Sequence, residues 1–310
     1  MEKNARVIAA MIVGLATSGC QSAGLAPAQP AFDGSGSWIR PTSSQGPLIY
    51  GGYGEDVYIY DYAGEKVGEL TGFEGAEGLC SDSRGDVYVA DDDRELIYEY
   101  PPGGSLPVLV LDDRGERPGG CAVDPTTGAL AVMNLGSNFE DQDGNVLIFA
   151  SGSSGTPVKY TAPNIVSYAF GAYDPSGDLY VDGTSSKHGF ALAALYKNSG
   201  GFTEIPLTGY NNRSHRAAGV QWDGQYVAVG DSLQGSIYRI AVSGSSGKIV
   251  QTVKVKGWFR HSPVGFAING KKLLFPLDTK LLFFAYPAGG KKKGGFFGDV
   301  GSNVTVTNAQ

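Results

Sequence analysis

Glu77-Gly78-Leu79-Cys80-Ser81-Asp82, a turn at Ser83-Arg84-Gly85, and Asp86-Val87-Tyr88-Val89-Ala90-Asp91 read as one strand-turn-strand unit. Glycine supplies the backbone freedom that the turn needs, while β-branched and aromatic residues fill the second strand. The first strand returns four times, as Gly120-Cys121-Ala122-Val123-Asp124, Phe170-Gly171-Ala172-Tyr173-Asp174, Gly219-Val220-Gln221-Trp222-Asp223 and Gly265-Phe266-Ala267-Ile268-Asn269. Its closing Asp or Asn falls at 82, 124, 174, 223 and 269, so the unit recurs every 42 to 50 residues. Self-similarity at such a period marks a repeat architecture in which each unit buries its apolar faces against its neighbours.

Working outward, every copy continues through a turn glycine (Gly85, Gly128, Gly177, Gly224, Gly270) into a second strand. A third strand follows at Leu96–Tyr100, Val146–Phe149, Ser236–Ile240 and Leu281–Phe284, and a more polar fourth leads to the next copy. Four antiparallel strands per unit make a propeller blade. A further unit at the N-terminal end, with strands near Leu48–Tyr50, Val57–Tyr60 and Lys66–Leu70, lacks its first strand. The alternating segment Asn303-Val304-Thr305-Val306-Thr307 supplies it from the far end. Joining the ends in this way leaves no open sheet edge. The expected fold is all-β, a six-bladed β-propeller of four-stranded antiparallel blades over residues 46–310, its ring closed by the C-terminal strand.

The stretch from Glu77 to Asp91 resembles an NHL-type repeat, with weaker copies over nearly all of residues 48–310. As a whole the chain resembles NHL-like propeller lipoproteins of bacteria. That resemblance implies a fold and says little of activity, because propellers carry hydrolases, lyases, receptors and scaffolds alike. A more distant resemblance is to the calcium-dependent lactonases and esterases of the gluconolactonase and regucalcin group. It implies a metal held by an inner-strand Glu before Gly, with two Asn and an Asp from other blades. Glu77 before Gly78 matches the first ligand, but Gly119, Ala169, Ala218 and Val264 stand at the corresponding places and offer no side-chain oxygen. No cofactor is expected.

Composition agrees with many short aromatic strands and tight turns, with 47 Gly, 17 Tyr and 14 Phe in 310 residues. The net charge is −7, and Lys and Arg read as scattered, with Lys291-Lys292-Lys293 as a solvated turn between glycine pairs. A nucleic-acid partner is not expected from that pattern. At the N-terminus, Lys3 and Arg6 precede the apolar run Val7–Ala16 and then Thr17-Ser18-Gly19-Cys20. This is the layout of a secretory signal over residues 1–20. Small residues before Cys20 resemble a bacterial lipobox, which implies lipidation of Cys20. Thr17 departs from the aliphatic residue preferred there, and cleavage near Ala26-Pro27-Ala28 is the alternative. Residues 21–45, rich in Ala, Pro, Ser and Gly, read as a flexible tether. The expected location is the cell envelope, lipid-anchored on the periplasmic or surface side, with secretion as the alternative. In such a compartment Cys80 and Cys121 can pair. Strand alternation points them either toward each other or apart, which leaves a disulfide and two buried thiols both open.

Loops between blades and loops between second and third strands share one face of a propeller. Glu74, Glu116, His215 and His261 each stand four residues before their unit's glycine, and Glu77 and Arg260 join them in the same loops. Imidazole and carboxylate in a ring can hold a transition metal or act as an acid/base set. A polar channel mouth accounts for them equally. Asp91, Asn134, Asp182, Asp231 and Asp278 end the second strands, either as a calcium-binding ring or as acceptors for neighbouring backbone amides. Trp258, Phe259, Tyr168 and Tyr210 read as aromatics near that face. The functional expectation is a membrane-tethered binding or scaffold propeller for a small molecule, glycan or protein. The alternative is a metal-dependent hydrolase or lyase using Glu77, Glu116, His215 and His261 at the channel mouth.

Overall fold

Stretches such as Val87–Asp91 and Leu130–Asn134 are buried at every position. Because side chains alternate between the two faces of a strand, such strands need cover on both sides. The computed structural model, described over residues 34–40, 46–136, 143–187, 189–210, 217–256 and 265–307, supplies that cover by packing sheet on sheet.

The chain opens with β1 (Trp38–Ile39), β2 (Ile49–Tyr53), β3 (Asp56–Tyr60) and β4 (Lys66–Leu70). A four-stranded sheet follows from β5 (Ala76–Ser81), β6 (Val87–Asp91), β7 (Leu96–Tyr100) and β8 (Leu109–Asp112). The next comprises β9 (Pro118–Val123), β10 (Leu130–Asn134), β11 (Val146–Phe149) and β12 (Val158–Tyr160). A third is built from β13 (Ile165–Tyr173), β14 (Leu179–Ser185), β15 (Gly189–Leu195) and β16 (Thr203–Glu204). Then come β17 (Leu207–Thr208), β18 (Ala217–Trp222), β19 (Val227–Asp231), β20 (Ser236–Ser243) and β21 (Ser246–Lys254), a five-stranded sheet. Finally β22 (Ala267–Asn269), β23 (Lys272–Ala285), β24 (Gly289–Gly301) and β25 (Asn303–Val306) join β1 to β4 in an eight-stranded sheet. No helix occurs among the described residues.

Apolar clusters are shared by successive sheets. Tyr88, Ala90 and Ile97 meet Leu130, Val132 and Phe149 in one, and Tyr180 and Leu192 meet Val220, Val229 and Ile240 in another. The repeated Asp explains the turns. Asp82 Oδ1 accepts the amides of Arg84 (2.8 Å) and Asp86 (2.9 Å), and Asp174 Oδ1 does the same for Ser176 (2.8 Å) and Asp178 (3.1 Å). A carboxylate that satisfies two turn amides fixes the hairpin between the first two strands.

Three features go beyond the sequence reading. Trp38 and Ile39, placed in the tether from sequence, pair with Glu69 and Gly68. Ser37 Oγ accepts the Thr71 amide at 2.9 Å and the Arg40 amide reaches the Val67 carbonyl at 2.7 Å, so the outer strand β4 orders this stretch. Residues 1–33 and 41–45, with the signal and Cys20, lie outside the described residues. Second, β23 is two strands in one. The Tyr286 amide donates to the Lys271 carbonyl at 2.9 Å, which brings the two ends of β23 together, so the strand folds back about Asp278 and Thr279. Third, Cys80 on β5 and Cys121 on β9 form a disulfide, with Cα atoms 5.6 Å apart and both side chains buried.

Candidate functional site

The strands β5, β9, β13, β18, β22 and β25 stand side by side around a cavity of about 700 Å3. Their repeated glycines close one end of it. A Cβ on Gly120 would stand 2.5 Å from the Ala169 carbonyl oxygen, and one on Gly78 3.1 Å from the Gly120 Cα. On Gly265 it would stand 2.5 Å from Asn303 Oδ1. Neighbouring first strands therefore touch at the glycine level, and the cavity wall begins there and runs toward the Asp-anchored turns. Gly120→Ala is expected to cost about 1–3 kcal/mol by forcing these strands apart. A chemical-denaturation midpoint equal to the parent's would refute the close packing.

Cross-strand bonds hold the wall. Gln221 Oε1 accepts the Ile268 amide at 2.7 Å, tying β18 to β22. Ser81 Oγ lies 3.1 Å from Thr305 Oγ1 and donates to the Val306 carbonyl at 3.1 Å, tying β5 to β25. Phe170, Tyr173 and Trp222 are half-buried in the wall, and the buried Trp222 Nε1 has no hydrogen-bond partner among the described residues. Arg84 at the rim is compensated by Asp82 (2.8 Å) and Asp86 (2.7 Å). The wall thus offers amide groups and the half-exposed parts of aromatic rings that also pack on the inter-sheet cores, Tyr173 on one and Phe170 and Trp222 on another. Its one cation among the described residues is neutralised by carboxylates.

The loop residues singled out from sequence lie beyond the glycines. Glu74 pairs with Arg94 at 3.2 Å, and Glu116 with Lys159 at 2.6 Å. Glu77 is exposed. Desolvation by the protein around it, with the charges of Asp92 and Asp93, raises its pKa, while Arg117, itself 2.7 Å from Asp92, opposes the rise. None of the three glutamates lines the cavity. His215, Arg260 and His261, like Trp258 and Phe259, lie outside the described residues. No group of three His, Cys, Asp or Glu suited to a metal occurs among the described residues.

Of the two readings of the second-strand residues, Asp91, Asp182 and Asp231 follow that of amide acceptors, whereas Asn134 instead donates its Nδ2 to Asn145 Oδ1 at 3.0 Å. Asp91 Oδ1 accepts from Gly75 N at 2.8 Å and Glu74 N at 3.2 Å, Asp182 Oδ1 from Phe170 N at 3.0 Å, and Asp231 Oδ1 from Leu233 N at 3.0 Å. Tyr168 is buried and Tyr210 half-buried in the inter-sheet cores. The sequence reading missed Tyr173, Gln221 and Trp222. Their signal was position: they sit between the repeated glycine and Asp, on the strands that line the cavity.

No family model matches the chain. NHL-repeat-containing protein 4 of Homo sapiens is 32% identical over 106 residues, covering 33% of this chain and 84% of that protein. The Mus musculus protein of the same name is 34% identical over 107 residues, covering 33% of this chain and 76% of its own length. Among solved structures, a chain of a nidogen/laminin complex matches with a TM-score of 0.68 at 12% identity, over 86% of this chain and all of that one (100%). A Bacteroides fragilis protein described as a candidate 6-phosphogluconolactonase matches with a TM-score of 0.56 at 12% identity, over 86% and 100% of the two chains. At such identities these structures speak for the fold alone, which is the β-propeller. With the anchored repeat, the sheet-on-sheet packing and these relatives together, the chain belongs to the NHL-repeat β-propeller proteins.

Proposed function

We propose that this chain is a binding protein of the cell envelope, tethered by a lipid on Cys20, that holds a neutral, hydroxyl-rich ligand such as a sugar residue of a glycan in its axial cavity. The observation that carries the reading is the cavity itself, about 700 Å3, within the range of small-molecule sites. The half-exposed parts of the Tyr173 and Trp222 rings suit stacking on a sugar ring. Gln221 spends its Oε1 on Ile268, and its Nε2 has no protein partner among the described residues. The paired state of Arg84 argues against an anionic ligand.

The architecture that frames this site is a six-bladed ring closed by the C-terminal strand. Support comes from the eight-stranded sheet, whose halves meet through the single pair Gly52–Gly301. One half is β22, the two arms of β23 and β24; the other is β25, β2, β3 and β4, with β1 outside. Ala267, Leu274 and Leu281 from the first pack on Ile49, Tyr60 and Val304 from the second, as one blade packs on the next. The pairs Ile49–Val306 and Gly51–Val304 join the two ends of the chain.

Thermal shift against a panel of mono- and oligosaccharides tests the reading. A saturable rise is expected, corresponding to about 2.7 kcal/mol at a hundredfold excess over Kd, and lost in Ala172→Trp. Because Ala172 both lines the cavity and packs on the core shared with β18, the loss is read only in a variant whose ligand-free midpoint equals the parent's. A panel without effect, or a rise that survives Ala172→Trp, would remove the axial cavity from consideration.

A further inference from the structure

The cations that read as scattered are segregated. Between residues 232 and 301 lie eleven of the chain's 24 Lys and Arg, against two of its 31 Asp and Glu, Asp278 and Asp299. This stretch forms β20 to β24, and its exposed lysines fall mainly on the outer strands β21 and β24. Among the described residues, none of Lys254, Lys256, Lys280 or Lys291–Lys293 makes an ion pair.

Strand β24 presents two different sides. Phe296 turns inward, its ring 5.0 Å from that of Tyr60 and 6.1 Å from that of Phe283. Alternation then turns Phe297 outward, where it is 85% exposed, and Lys291, Lys292 and Lys293, all exposed, lie in the irregular stretch of the same strand where its register with β23 shifts. Lys280 is the cross-strand partner of Phe297. Next to β24, joined to it through the Val255–Gly290 bridge, β21 exposes Lys248, Val250 and Lys254, with Lys248 and Lys254 on opposite faces because the strand bulges between Ile249 and Gln251. Lysines alone are accounted for as guards of an edge strand against unwanted pairing. A bare phenylalanine among them is not, since it promotes the association that lysines prevent.

We infer that the outer rim formed by β21 and β24 docks on an anionic lipid bilayer, with Phe297 entering the interface and Lys256, Lys280 and Lys291–Lys293 facing the headgroups. Protruding apolar groups ringed by lysine are the chemistry of an interfacial anchor, and a polyanion in water makes no use of the phenylalanine. The placement of β1 agrees: it lies on the outer strand of the neighbouring unit, whose Tyr60 and Gly64 carry Phe296, and Trp38 there is 39% exposed. A chain arriving from a membrane anchor thus enters the fold on the sheet that carries the lysine-rich strand. The inference deepens the membrane-tethered reading without requiring the acyl chain.

The test uses the full chain carrying Cys20→Ser, so that no lipid contributes, in flotation with vesicles of phosphatidylglycerol and phosphatidylcholine in equal parts. Partitioning is expected to exceed that to pure phosphatidylcholine and to weaken with salt. It should fall about a hundredfold when Lys291, Lys292 and Lys293 are all changed to Gln, and about tenfold in Phe297→Ser. The variants share the parent's N-terminus, so the difference reports the rim, and an unchanged thermal midpoint shows that they fold. Partitioning unaffected by the rim variants, or equal on neutral vesicles, would overturn the inference. So would heparin binding that needs the lysines while Phe297→Ser leaves vesicle binding intact, which would make the rim a polyanion surface. Failure here leaves the cavity reading untouched, because that one is read by Ala172→Trp.

Discussion

Replacing Cys80 and Cys121 together by alanine is expected to lower stability by about 4 kcal/mol, and the thermal midpoint by about 10 °C. The bridge spans 41 residues of sequence, so cutting it releases a loop containing most of one unit and the start of the next. The loop-entropy account assigns the loss to the unfolded chain, which regains conformations that the bridge denied it. Alanine is the right replacement because both positions are buried, and a serine hydroxyl would add a desolvation cost of its own. Reductant should move the parent toward the double variant and leave the variant where it was. A parent whose midpoint ignores full reduction would mean that the packing of β5 on β9 alone carries this junction.

Stability is also expected to decline as pH rises from about 4 to about 8, because two carboxyls stay protonated in the fold. Burial raises Asp113 to about 8, with the charges of Glu116, Glu95 and Asp112 adding to it and Asn134 opposing. Burial likewise raises Asp182 to about 8, against the amides of Phe170 and Ala218. Neither oxygen of Asp113 is paired, nor is Asn134 Oδ1, and a proton on Asp113 supplies a donor for which Asn134 Oδ1 is an acceptor. The sign follows from linkage. Below the unfolded pKa both states are protonated and nothing is lost. Above it the unfolded chain ionises while the fold holds its proton, so each group costs about 1.4 kcal/mol per pH unit until the folded pKa is passed. Asp113→Asn, neutral throughout and able to donate to Asn134, should match the parent at pH 4. At pH 8 it should exceed it by about 2 kcal/mol, a part of the full linkage. Parallel denaturation curves for the two proteins at every pH would show that Asp113 is ionised in the fold. Asp124 acts in the opposite sense. Burial raises its pKa, but the hydrogen bonds from Thr127 and Thr126 win and hold it low, so its contribution is lost only as the medium becomes strongly acid.

The repeat was legible because its cause is local. A turn of Asp82 type needs a carboxylate, two amides and a glycine within a few residues, so each copy carries its own signature whatever surrounds it. The same holds for the four-strand rhythm and for the pairing partner of β2, since Asn303–Val306 was the alternating segment left without a unit. The site was legible only in part. Spacing placed Glu74, Glu77 and Glu116 on one face, but their partners Arg94, Lys159 and Arg117 come from other loops and strands, and nothing in the spacing told that two of the three carboxylates were spent on them.

By itself, then, the sequence determined the class of fold, its period, and the chemistry of its turns. Tertiary structure alone decided which way Cys80 and Cys121 face, since strand alternation allows both senses and the twist between sheets selects one. It decided as well that the cavity lies on the turn side of the glycines, because the pinch arises from contacts between strands some 40 to 50 residues apart, such as Gly78 on Gly120 and Gly120 on Ala169. The lysine rim has the same origin: β21 and β24 are distant in sequence, and only their packing at the outer edge lays Lys256 beside Lys291. Local chemistry is written residue by residue, whereas a cavity and a charged rim are properties of strands brought together.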